Sequence, residues 1–184
     1  MLAYVFWHWP RAGVPAASYE ALQRRFHAAL GDAPPPGFLG SRSAAILGAP
    51  WAAAGARAYE DWYMVDGSAA LDPLNAAAVT ASRQAAHDAA AAAAENGTAG
   101  LYLLRRGTPR DSPDNAVWFA KPSGMSYREM YELLEPLVEA TGAALWGRQM
   151  VLGPTPEFCL HISRPVHLPV PLAGTTIACQ PVWP

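Results

Sequence analysis

Apolar and polar positions recur along this chain with two periods, and the periods separate strands from helices. Leu2–Trp9 is a β-branched and aromatic run closed by Pro10. At strand spacing Tyr4, Phe6 and His8 share one face, and Ala3, Val5, Trp7 and Trp9 share the other. Both faces carry large apolar groups, so the strand is expected to be covered on both sides. After the Gly13–Pro15 turn, Tyr19, Leu22, Phe26 and Leu30 recur at helical spacing, with Ser18 the expected cap and Gly31 the expected stop. The successive prolines Pro34, Pro35 and Pro36 exclude helix there. Strands follow at Phe38–Leu47 and Ala58–Val65, joined by a turn around Gly48–Gly55 and spaced as an antiparallel pair. Ser68 opens a helix through Leu71, Leu74 and Ala78; Pro73 is tolerated only near a first turn, so Asp72 is the alternative cap. An Ala-rich helix runs from about Ser82 to Glu95 and is stopped by Asn96-Gly97.

The second half repeats the theme. Strands are predicted at Leu101–Arg106 and Ala116–Lys121, then a helix capped by Ser126 and ended by Gly142, with Met130, Leu133, Leu134 and Leu137 on its buried stripe. Leu145–Leu152 and Glu157–Ile162 read as further strands. From Arg164 prolines dominate, which predicts an extended tail with one edge strand near Thr175–Cys179. Strands interleaved with helices and joined by short turns give an α+β class, with largely antiparallel sheets and helices on one face. The organisation read from this order is a first half over 1–80, a linking helix over 81–97, a second half over 98–163 and a tail over 164–184.

Composition narrows the function classes. The chain has 184 residues, 52% apolar and 15% charged, with a formal charge of -2. That supports one domain or two fused halves with a real core, and it excludes wholesale disorder. Charge is balanced and no basic stripe is present, so nucleic acid is not an expected partner. Hydrophobic runs are broken well short of a span and the start lacks a signal peptide's basic region, so no membrane association and a cytoplasmic location are expected. Cys159 and Cys179 make neither a disulfide framework nor a zinc-finger spacing. Lys121 is the only lysine among many arginines, which marks a compositional bias, so the Ala89–Ala94 run reads as a closely packed helix. No glycine fingerprint for dinucleotides or phosphates is present, and no Ser/His/Asp order or H-E-x-x-H supports a hydrolase.

Three segments together resemble a known family. Tyr4–Trp9, the helix Tyr19–Leu30, and the block Tyr59-Glu60-Asp61-Trp62-Tyr63-Met64-Val65 running into Ser68–Val79 look like the ferredoxin-like units of the dimeric α+β barrel superfamily. With Leu71, Leu74 and Asn75, they are similar to its small monooxygenase and ethyl-degradation-type members over roughly residues 1–80. The second half reads as a diverged copy. One chain would then supply the two-sheet barrel that single-unit members make by dimerising; closure within the chain and a homodimer both stay open. The resemblance implies cofactor-independent oxygenation or isomerisation, and in some branches haem chemistry, although fold alone does not fix function.

The candidate chemistry follows from side-chain parity. Histidine as a residue type changes charge near neutral pH, so His8, at the end of the first strand, suits a general base, or a haem ligand. Glu60 and Asp61 fall on opposite faces, Glu60 with Trp62 and Met64, Asp61 with Tyr59 and Tyr63, so they cannot act as a pair. A carboxylate among aromatics is expected to have a raised pKa. Glu157, Cys159 and His161 alternate onto one face, but their spacing matches no zinc pattern and no metal site is expected. Arg105, Arg106, Arg148 and Gln149 lie near strand ends, where one could hold a carboxylate. His27 and His87 read as structural or exposed. The site expected is a cavity between two sheets with His8, Asp61 and Tyr63 as catalytic residues. Tyr4, Phe6, Arg148, Glu157 and His161 are the expected substrate-binding residues, and Tyr63 or Arg148 would polarise an oxygen of an aromatic or enone-like substrate. No cofactor is required by this reading. The alternatives are a haem protein with His8 or His161 as axial ligand, and a non-catalytic module whose barrel is filled by aromatics.

Overall fold

The computed structural model of the protein describes residues 1–52 and 57–184, so the expected Gly48–Gly55 turn lies partly outside the described residues. The elements are β1 (Leu2–Pro10), α1 (Ala16–Asp32), β2 (Phe38–Ile46), β3 (Ala58–Val65), α2 (Leu71–Ala78, after a 3-10 turn at Ser68–Ala70) and α3 (Ala81–Ala93). They continue with β4 (Ala94–Arg106), β5 (Asn115–Phe119), α4 (Tyr127–Thr141), β6 (Ala144–Arg148), β7 (Phe158–Ile162) and β8 (Gly174–Trp183). The strands pair antiparallel and close into one barrel in the order β1-β3-β2-β8-β5-β7-β6-β4.

That order contains the same neighbour pattern twice. The run β4-β1-β3-β2 carries α1 between β1 and β2, and α2 with α3 between β3 and β4. The run β8-β5-β7-β6 carries α4 between β5 and β6, but only the extended segment 163–173 between β7 and β8. The fold is α+β with tandem ferredoxin-like units, and the barrel closes within one chain.

Closure explains where local reading of the sequence departs from the structure. The proline-rich end does not stop at an edge strand: β8 is hydrogen-bonded to β2 on one side and β5 on the other. A closed barrel has no edges, and Pro181 fits because it sits at a register shift opposite Ala44. β4 begins at Ala94, so Asn96 and Gly97, expected as a helix stop, lie inside a strand opposite Trp9 and His8. Gly97 is needed there for a different reason: a Cβ would fall 2.3 Å from the Phe6 ring. β6 stops at Arg148, short of the expected Leu152, and Met150 takes a left-handed φ of 65°. α1 starts directly after Pro15 with no side-chain cap, so Ser18 lies inside it, and the helix continues through Gly31. α4 matches its sequence signals: Ser126 and Glu129 form a full capping box, and Gly142 ends the helix at φ 59°.

The space expected between sheets as a binding cavity is filled. Trp7, Trp62, Trp118 and Trp146 all lie buried in the barrel interior with Ala3, Val5 and Tyr102. Their rings pack at centroid separations of 5.1 to 6.3 Å. Glu60 faces inward among them and accepts hydrogen bonds from the indole nitrogens of Trp7 (2.7 Å) and Trp62 (2.6 Å). Burial raises its pKa above the ordinary carboxyl value.

Candidate active site

The hollow of this molecule lies outside the barrel, between the outer face of the first-half strands and helices α1 to α3. Its volume is about 860 Å³, within the size range of small-molecule sites. Strand pairing builds the floor. Antiparallel partners share a face, and the register sets Tyr4 against Tyr63, Phe6 against Asp61 and His8 against Tyr59. Trp7 points inward, so its neighbours Phe6 and His8 must point outward under the helices. α1 adds Tyr19, Gln23, Phe26 and Leu30 from one helical face.

Asp61 organises the polar part of this floor. Its Oδ2 lies 3.1 Å from His8 Nε2 and 3.3 Å from His27 Nε2, and accepts a hydrogen bond from the Tyr63 hydroxyl at 3.0 Å. All four side chains are buried. Burial alone would raise the Asp61 carboxyl; the two imidazoles outweigh it and hold the pKa well below the usual carboxylate range. The expectation of a raised pKa thus fails for Asp61 and holds for Glu60, where burial outweighs the two indole hydrogen bonds and the Arg42 charge. Burial, then the Asp61 charge, raises the Tyr63 phenol, so it stays protonated and donates.

His8 continues the chain of contacts. Its Nδ1 lies 2.6 Å from the Tyr19 hydroxyl. Its ring is sandwiched between Phe6 (5.1 Å) and Tyr59 (5.7 Å). Tyr19 is fully buried, and its phenol is raised by burial and then by the Asp61 charge. On the far side, His27 stacks on Tyr63 at 5.2 Å, and its Nδ1 lies 2.7 Å from Ser41 Oγ.

The structure therefore brings together Tyr4, Phe6, His8, Asp61 and Tyr63 and leaves the other three expected site residues elsewhere. His161 points into the barrel, where Arg42 Nη2 donates to its Nδ1 at 2.8 Å and Trp62 packs 4.4 Å from its ring. Burial, then the Arg42 charge, holds it well below the ordinary imidazole value. Cys159 shares that interior. Arg148 is half-buried and donates to the Thr155 carbonyl. Glu157 accepts from the Tyr127 hydroxyl at the α4 side. In a closed barrel, the inward parity of β7 and the outward parity of β1 and β3 cannot meet in one hollow.

Two residues of the cluster escape sequence reasoning. His27 reads as structural or exposed from the sequence; it is buried and brings a second imidazole to Asp61 Oδ2. Tyr19 reads as a core position of the α1 stripe; the available signal was that a buried tyrosine hydroxyl must find a partner. His87 also lines the pocket, from α3, with Nδ1 3.1 Å from Asp88. Neither imidazole expected as a haem ligand suits that role. Both nitrogens of His8 already face Tyr19 and Asp61, and His161 lies inside the barrel. Among the described residues, no group of three or more His, Cys, Asp or Glu side chains is arranged to hold a metal ion, and no helix is long and apolar enough to cross a membrane.

No protein-family model matches the chain, and no curated protein matches it. Solved structures do. The crystal structure named "Putative Chlorite dismutase TA0507" superposes with a TM-score of 0.51 at 8% identity, covering 98% of this chain and 95% of its own. The crystal structure of At3g17210 from Arabidopsis thaliana gives 0.45 at 6% identity, over 59% of this chain and 100% of its own. The first likeness spans both halves, and at such identity it shows the fold alone: the tandem ferredoxin-like architecture of this chain resembles that of TA0507.

Proposed function

We propose that this protein binds a small, largely apolar molecule bearing a carbonyl or enol in the outer pocket and moves a proton on it, as an isomerase-type acid–base catalyst. One observation carries the reading: a continuous line of close contacts from Tyr19 Oη through His8 to Asp61 Oδ2, at 2.6 and 3.1 Å, set in the wall of a cavity of about 860 Å³. The cavity is well above the roughly 300 Å³ below which a small-molecule site would be a poor reading, which favours a binding role over an aromatic-filled assembly module.

The chemistry follows from donors and acceptors. With a hydrogen on Nε2 facing the Asp61 carboxylate, His8 Nδ1 is an acceptor for the Tyr19 hydroxyl. As Tyr19 takes a proton from the ligand, its own proton passes to His8, and the imidazolium formed is stabilised by Asp61. Reversal of the relay returns a proton to another position of the ligand, so the product is an isomer and no oxidant or cofactor is consumed. Tyr63 and His27 fix the carboxylate.

The test is hydrogen–deuterium exchange of 2-tetralone in deuterated buffer, followed by NMR. The protein is expected to speed exchange next to the carbonyl, His8→Gln to reduce it about 100-fold or more, and Tyr19→Phe comparably. Exchange no faster than in buffer, or equally fast in His8→Gln, removes the reading.

A further inference from the structure

The pocket has two unlike walls. On α1, Tyr19, Gln23, Phe26 and Leu30 present large side chains. Beside it, packed against α1, α3 and its continuation present His87, Ala90, Ala91 and Ala94, which follow one helical face at intervals of three and four. In the second half, the connection between the same pair of strand positions, β7 to β8, sends Val166, Leu168 and Leu172 onto the outer face against α4. The first half leaves comparable space open: α2 sends Leu71 and Leu74 to the pocket lining, but the end of α3 and its continuation offer it only the methyl groups of Ala90, Ala91 and Ala94. On the floor of that space, the buried Asp61 Oδ1 has no hydrogen-bond partner among the described residues.

Charge narrows the occupant. Among the described residues lining the pocket, Arg11 is the one guanidinium, at an exposed position, and its Nε already donates to the Ala94 carbonyl. Asp61, Asp72 and Glu95 are carboxyl groups in the same lining. A buried anionic ligand would meet three carboxyl groups against a single, exposed guanidinium to offset its desolvation.

We infer that the alanine face of α3 is the specificity wall of the pocket, and that it admits a neutral, mainly hydrocarbon ring compound while rejecting anionic ones. This rests on the binding part of the function proposed above, and it does not depend on the proton relay.

Two dyes sharing one ring system supply the test: neutral N-phenyl-1-naphthylamine and its sulfonated relative 8-anilinonaphthalene-1-sulfonate, titrated by fluorescence against the full chain. The neutral dye is expected to bind at least tenfold tighter. Ala90→Leu and Ala91→Leu should each weaken it at least fivefold, whereas Ala85→Leu, on the exposed side of α3, should leave it unchanged. If Ala90→Leu lowers the melting temperature sharply, Ala91→Leu, at an exposed position of the lining, decides alone. Equal or tighter binding of the sulfonate, or unchanged binding in Ala91→Leu, overturns the inference. Selective dye binding without tetralone exchange keeps the wall and discards the relay; exchange without dye selectivity does the reverse.

Discussion

The outer faces of the two halves have the same strand topology and opposite contents. On the second half, β5 and β7 present Val117, Phe119, Phe158, Leu160 and Ile162, and α4 lays Met130, Leu134 and Val138 on them. On the first half, the matching strands present Tyr4, Phe6 and His8, then Tyr59, Asp61 and Tyr63, and α1 meets them with Tyr19, Gln23, Phe26 and His27. One face is a dry apolar core closed by the chain itself. Its counterpart is a hollow with an ionised floor. The helices differ in the same direction: α4 has a capping box and a left-handed glycine stop, whereas α1, α2 and α3 have no side-chain cap at all. The second half is built for stability by local rules, and the first departs from those rules where it carries its polar cluster.

The contrast can be broken by experiment. Leu134→Ala, in the filled core, should cost about 2–5 kcal/mol in urea denaturation, while leaving dye binding to the first-half pocket intact. Loss of the dye at temperatures where the chain is folded would mean that the halves do not act separately. Asp61→Asn should cost about 2 kcal/mol at neutral pH, because two imidazoles and a phenol lose their shared acceptor. Its pH dependence is distinctive. The folded-state pKa of Asp61 lies below the ordinary 3.8, so its stabilisation is fully present above that value and is lost as pH falls beneath it. Asp61→Asn should flatten that acid limb.

The preceding residue has the opposite sign. Glu60 has a folded-state pKa above the ordinary 4.5, so stability linked to it is greatest below that value and declines as pH rises through the folded one. Glu60→Gln should remove this decline; a chain that loses stability with rising pH as steeply as before would show that the indole-bound carboxyl is not its source. Smaller effects test the helix ends. Ser126→Ala should cost about 1 kcal/mol by loss of the α4 cap. Ser18→Ala, at an exposed position inside α1, should stay within about 0.5 kcal/mol. Comparable losses at the two serines would erase the difference between the helices.

Much of the fold is legible in local patterns because local physics decides it. Alternation in Leu2–Trp9 and in the Tyr59–Val65 block correctly separates Ala3, Val5 and Trp7 from Tyr4, Phe6 and His8, and Glu60 from Asp61. Pleat geometry permits no other assignment. The α4 signals are equally direct, since a capping box and a terminal glycine act within a few residues. The helix stop assigned to Asn96-Gly97 and the edge strand assigned to the tail fail for one shared reason. Both segments are shaped by strands distant in the chain, β1 for one and β2 with β5 for the other.

The candidate site divides along the same line. Parity by itself placed Tyr4, Phe6, His8, Asp61 and Tyr63 on common faces of their strands, because side-chain direction along a strand depends only on the count of residues. Which face looks into the barrel, and which looks beneath the helices, depends on how eight strands close, and no local period encodes that closure. Only the tertiary structure could carry His161 away from His8, bring Tyr19 and His27 to the same carboxylate, and leave an alanine wall where the other half is filled.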